Sequence, residues 1–143
     1  MKVDWAMLAN YAEQNGGLAY IQGGSWDTIT VHAPIPSDAG APPGLFTVIQ
    51  GYFTARIGFH QTESGDHSIT VVIRDSDGAE IAKAEGEARV QRTPGLPAQW
   101  LQHIQIVIPL TGIGLPKAGE YVVHLLVDGK HETDVPFRVI KGY

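Results

Sequence analysis

The chain has 143 residues, with 10 lysines and arginines against 15 aspartates and glutamates, a formal charge of −5. That length suits one domain able to bury roughly two thirds of its unfolded surface, and an acidic balance spread without blocks speaks against a nucleic-acid surface. Cysteine is absent, which removes disulfides, thiolate metal sites and cysteine nucleophiles and fits a reducing compartment.

The start, Met1 to Trp5, carries an acid at Asp4 and no long apolar region, unlike a signal peptide, and no window approaches the roughly 20 apolar residues of a membrane span. A cytoplasmic protein with no membrane partner is expected. Seventeen glycines and nine prolines fall as punctuation between apolar runs, without a repeat, which is all-β composition.

Residues 2–14 satisfy two periods. Val3, Trp5, Met7, Ala9 and Tyr11 alternate as in a strand, while Trp5, Leu8 and Ala12 also make a helical stripe. Asn15-Gly16-Gly17 followed at once by Leu18, Tyr20 and Ile21 decides for a hairpin, with Trp5 and Met7 expected in the core. Gly23-Gly24 marks a bulge or a close backbone approach before the extended run Trp26 to His32. Pro34 to Pro43 reads as a surface loop.

Leu45 to His60 reads as one long strand with kinks at Gly51 and Gly58. Glu63 to Asp66 turns it back into Ile69 to Arg74, and Asp75 to Gly78 is an acidic turn into Ala79 to Val90, an edge or half-exposed strand. Gln91 to Gln99 is a crossover, and Trp100 to Pro109 is a strand again.

The last segment is a hairpin: Tyr121, Val123, Leu125 and Val127 alternate, as do Val135, Phe137 and Val139, with Asp128-Gly129 between them. A plain two-residue turn sets Tyr121, Val123 and Leu125 opposite Pro136, Asp134 and Glu132, mixing core with charge. A bulge at Gly129 or Lys130 pairs Tyr121 with Phe137 and Val123 with Val135, which keeps the apolar sets together. Pro136 suits an edge or a non-bonded position. Lys117-Ala118-Gly119-Glu120-Tyr121 resembles the opening of the next-to-last strand of immunoglobulin-like sandwiches, where a tyrosine hydroxyl bonds back to upstream backbone; an ordinary core aromatic is the other reading of Tyr121. The expected fold is all-β, a two-layer antiparallel β-sandwich of about eight strands, immunoglobulin-like, with a small closed barrel as the alternative.

Three stretches together, Gly23-Gly24-x-Trp26-Asp27-x-Ile29, Asp75-x-Asp77-Gly78 and Gly119 to Val139, resemble an uncharacterised family of small single-domain bacterial proteins, a domain of unknown function common in actinobacteria. The resemblance implies a soluble β-sandwich and carries no activity or site.

Chemistry is sparsely signalled. The six histidines, His32, His60, His67, His103, His124 and His131, include no His-x-His, and the bulged register puts His124 outside and His131 near the core rim, so they would not converge on a metal. The acidic turns suit their own backbones better than calcium, and no nucleophile motif is present. No enzyme activity, cofactor or metal is therefore expected. The face bearing Val122, His124 and Leu126 is too apolar to be left in water beside a strand whose other face feeds the core, which points to a homo-oligomer or a protein partner. The alternative is a small-molecule or carbohydrate site using Trp5, Trp26 or Trp100 for stacking.

Overall fold

The computed structural model describes residues 1–32, 46–48 and 50–142; the loop Pro34 to Pro43 lies outside them. The described chain is all-β, with a single turn of 3-10 helix at Gln61–Glu63 as its one helical element. Its strands are β1 (Lys2–Asn15), β2 (Leu18–Gly24), β3 (Thr28–His32), β4 (Phe46–Thr47), β5 (Tyr52–Phe59), β6 (Gly65–Asp75), β7 (Glu80–Val90), β8 (Gln102–Pro109), β9 (Gly114–Leu115), β10 (Gly119–Val127) and β11 (Lys130–Gly142). Two sheets, β2-β1-β5-β8 and β3-β11-β10-β6-β7, form the layers of a sandwich, and β4-β9 makes a short ladder.

The N-terminal hairpin forms as the Asn15-Gly16-Gly17 signal predicts. Asn15 pairs with Leu18, and Gly16 and Gly17 take φ of +59° and +76°, the two left-handed residues that a tight hairpin turn needs. Trp5 and Met7, however, do not enter the core. The register slips between Val3 and Trp5, leaving Asp4 as an extra residue, so that Val3, Ala6 and Leu8 join the core while Trp5 and Met7 pair with Arg56 and Thr54 on the outside. One bulge residue inverts the parity read from the sequence.

Gly23-Gly24 is a close approach: a Cβ on Gly24 would lie 2.8 Å from Met7 Sδ, and one on Gly23 2.5 Å from Asn10 Nδ2. Beyond it the chain changes layer. β3 joins the second sheet beside β11 and runs parallel to it, Arg138 to Gly142 against Thr28 to His32, so this sheet is mixed where an all-antiparallel one was expected. The link from β2 crosses between layers, which frees β3 from the antiparallel direction that a hairpin return imposes.

The run Leu45 to His60 is likewise two strands. Val48 N donates to Ile113 O and Leu110 N to Gly51 O, so residues beside the gap bond to the β8–β9 connection. Gly51 sits where a Cβ would come 3.1 Å from Val48 Cγ1, a close approach that only glycine meets without shifting its neighbours. β7 is an edge strand, as expected.

Between the layers, Leu8, Phe53, Ala55, Ile57 and Phe59 meet Ile69, Val71, Ile73, Tyr121, Val123, Leu125, Phe137 and Val139, all buried. Tyr121 stacks on Phe137 with centroids 5.3 Å apart, and its hydroxyl donates to Lys117 O and accepts from Lys117 N. The upstream backbone bond expected of this tyrosine is therefore made. Tyr121→Phe keeps the stacked ring and strands the two Lys117 backbone groups, so urea unfolding should show a loss of about 1–2 kcal/mol with an unchanged denaturant slope.

Candidate functional site

The β10–β11 hairpin carries a cluster of three possible metal-ligating side chains, His124, His131 and Asp134. Its turn is the tight two-residue form: Val127 pairs with Lys130, and Asp128 and Gly129 take φ of +52° and +78°. The extra residue enters later than expected, at Glu132, since Leu126 pairs with His131 and Leu125 with Thr133. Tyr121 then meets Phe137, and Val123 meets Val135, as the apolar pattern demands.

That placement overturns the expected separation of the histidines. His131 precedes the bulge and shares the outer face with Leu126, while Asp134 follows it and shares the same face with its partner His124. His124 Nδ1 lies 2.5 Å from Asp134 Oδ1, and His131 Nε2 bonds to the same oxygen. The imidazoles meet edge to face, centroids 5.5 Å apart, and the three possible ligand atoms lie within 4.8 Å of one another. Partial burial pushes the Asp134 carboxyl up, but bonds from His131 and His124 outweigh it and hold the group below the usual carboxylate range.

Val122, His124 and Leu126 are half-buried. Their face continues into Val72, which is fully covered although it points away from the core. Pro136 lies opposite Val122 on a strand that is not a free edge throughout, because β3 pairs with it from Arg138 onward.

Ile140 of β11 is exposed, but the other large exposed apolar groups on strands belong to the other sheet. Trp5, Met7, Ala9 and Tyr11 line the outer side of β1, in register with Tyr52, Thr54 and Arg56 of β5. Leu18 and Tyr20 of β2 continue this face, 60% and 49% exposed, beside Tyr11 at 38%. Tyr11 sits edge-on to Tyr52 and donates its hydroxyl to Glu13. Trp26 is half-buried, edge-on to Phe137 at 6.0 Å. Trp100 is exposed, and neither Trp5 nor Trp100 has another ring against it among the described residues.

The acidic turns are occupied by the protein itself. Asp75 Oδ1 accepts from Asp77 N and Ala79 N, and Asp77 pairs with Lys117 at 2.8 Å. Sequence reasoning missed a clasp at the tip of the last hairpin. His67 Nδ1 lies 2.6 Å from Asp128 Oδ2, its Nε2 meets Glu63 O, and Asp128 Oδ1 accepts from Ser68 N. Both partners of the ring only accept, so both ring nitrogens donate together only in the imidazolium. The bond to Asp128 leads, helped by Glu63 O, and raises the His67 pKa; the same bond holds the Asp128 carboxyl down. The acid immediately past an apolar strand end was the available signal, but its partner lies 61 residues away.

Residues 4–140 match the family described as "Family of unknown function (DUF6941)", and the chain belongs to that family. No curated protein matches it. Among solved structures, a beta-glucuronidase from glycoside hydrolase family 2 aligns over 77% of this chain at 14% identity with a TM-score of 0.33, and the chain spans 12% of that protein's length. Among the described residues no helix is long and apolar enough to cross a membrane.

Because the folded pKa of His67 is raised, its contribution to stability is complete below the ordinary histidine value near 6.5 and is lost as pH rises through the folded value. The stability gap between the wild type and His67→Gln should be about 1 kcal/mol at pH 6, limited by the half-exposed Asp128, and should shrink steadily toward pH 9. Urea midpoints measured across that range check it; a gap independent of pH would show that the clasp works through the neutral ring.

Proposed function

We propose that the chain is a non-enzymatic interaction module, cytoplasmic in a bacterial cell and immunoglobulin-like in its sandwich, that self-associates along the edge of β2. The observation that carries this reading is the character of that edge. β2 ends its sheet among the described residues, and its sequence, Leu18 to Gly24, holds neither charge nor proline. Natural edge strands are blunted by such residues, and β7, one of the two edges of the other sheet, carries Lys83, Glu85, Glu87 and Arg89. β2 instead exposes Leu18 and Tyr20.

A second copy is the occupant that suits it. Two β2 edges meeting antiparallel about a two-fold axis are self-complementary, and backbone pairing extends the sheet while Leu18, Tyr20 and Tyr11 of each copy cover one another. A chain of net charge −5 repels its own copies except at an uncharged surface, and β2 supplies one. The bacterial and cytoplasmic parts rest on the resemblance at Gly119 to Val139 and on the lack of cysteine, and the immunoglobulin-like part on the Tyr121 hydroxyl bonds to Lys117. The stacking-platform alternative is disfavoured by Trp26, which is spent on Phe137.

Sedimentation velocity at micromolar concentration should show a dimer. Leu18→Lys with Tyr20→Lys should give a folded monomer, since both side chains are exposed, and Leu126→Glu should remain a dimer. A monomeric wild type overturns self-association. Dissociation by Leu126→Glu alone would move the interface to the face of Val122, His124 and Leu126.

A further inference from the structure

We propose that His124, His131 and Asp134 form a binding site for a divalent transition-metal ion, with Zn²⁺ the biological ion that the donor set fits best. Two imidazole nitrogens and one carboxylate oxygen are the three-ligand complement of open zinc sites, in which a fourth position is left for water or another ligand. Imidazole and carboxylate together also suit neighbouring ions of the first transition row, whereas Mg²⁺ and Ca²⁺ demand more oxygens than this face presents.

The geometry is close to what a metal needs. Zinc bonds of about 2.0–2.1 Å set tetrahedral donors roughly 3.3 Å apart. The three ligand atoms already lie within 4.8 Å of one another, and His124 Nδ1 stands 2.5 Å from the Asp134 oxygen, so the rings need only back away by roughly 1 Å to admit the ion. In its absence two ring N–H groups crowd onto one carboxylate oxygen. A bound ion replaces both: each imidazole then carries its proton on the far nitrogen, Nε2 of His124 and Nδ1 of His131, and offers a lone pair where it had offered a hydrogen.

Preorganisation comes from the backbone. His124 and Asp134 are direct cross-strand partners, and the bulge at Glu132 brings His131 to the same face as Asp134, three positions on, where an unbroken strand would set them on opposite faces. The flanking floor is apolar: Val72 is opposite His124 on β6 and buried, and Leu126 is opposite His131 and half-buried. The lysine and arginines of this face are engaged elsewhere, Lys83 with Glu85 at 2.9 Å, Arg74 with Gly78 O at 3.0 Å, Arg138 with Thr28 Oγ1 at 3.0 Å and Arg89 with Asp66 at 4.0 Å. Among the described residues Asp134 pairs with no lysine or arginine, only with the two histidines. By contrast His67 and His103 each meet a carboxylate without a second histidine, Asp128 at 2.6 Å and Asp4 at 3.0 Å.

Co²⁺, added alone to the full chain, is the probe, because a tetrahedral site of this kind gives it a visible absorption band. The expected result is a band that saturates at one ion per chain, is abolished by Zn²⁺ and is untouched by excess Mg²⁺. His131→Ala and Asp134→Asn should each weaken Co²⁺ binding at least tenfold, about the scale on which even groups behind the ligands act. The exposed His131, at 53%, can be removed without disturbing the core, and circular dichroism confirms the fold of each variant. His103→Gln should bind as the wild type does. Absence of the band overturns the proposal, as does equal binding by the two site variants or an equal loss in His103→Gln.

Discussion

The extra residue at Glu132 is the constraint on which the second sheet depends. Without it, Asp128-Gly129 sets Tyr121, Val123 and Leu125 against polar partners, and the face that closes the core is broken. With it, the tip keeps the tight turn that the Asp-Gly pair favours, while everything beyond Leu125 shifts by one and Tyr121 stacks on Phe137. The bulge reconciles a local preference with a core requirement. Its position decides which polar side chains gather outside: two residues nearer the turn, His131 would leave the face of His124.

Asp4 does the same for the first sheet. As the extra residue between Val3 and Trp5, it accepts Arg56 at 3.1 Å and His103 at 3.0 Å, and it directs Trp5 and Met7 outward while Val3 and Ala6 reach the core. The outer side of this sheet is therefore aromatic and apolar by construction, and Thr54 is completely buried there in register between Met7 and Val107. Of the surfaces this leaves, the strand edges are where a partner gains most, because an edge offers unpaired backbone groups as well as side chains.

Alternation and turn chemistry made most of the fold legible. Gly16-Gly17, Asp75 to Gly78 and Asp128-Gly129 each turn the chain where predicted, since positive φ and Asp-to-backbone bonding are local properties. The parallel pairing of β3 with β11 was not legible, because nothing in Thr28 to His32 states which layer it joins. Nor was the split of Leu45 to His60, which turns on backbone bonds to residues about sixty positions later. Strand count suffered accordingly: the short β4 and β9 have no pattern of their own. At the candidate site the residues were visible and their convergence was not, since parity in a hairpin holds only up to the first bulge.

The hairpin tip shows why the His67–Asp128 clasp and the cluster of His124, His131 and Asp134 belong to one design. Asp128 stands in the left-handed region, tolerable for an aspartate in a tight turn. Its carboxylate is held by Ser68 N and the His67 ring, and its own N–H is held by Ser68 O. Those bonds fix the tip to the start of β6, so the strand reversal cannot slide by one residue to absorb the bulge. The slack must then be taken up farther along β11, between His131 and Thr133. An anchored turn on one side and the Tyr121–Phe137 stack on the other leave only the short stretch between them for the extra residue. The meeting of His124, His131 and Asp134 is thus a consequence of clamping both ends of the hairpin.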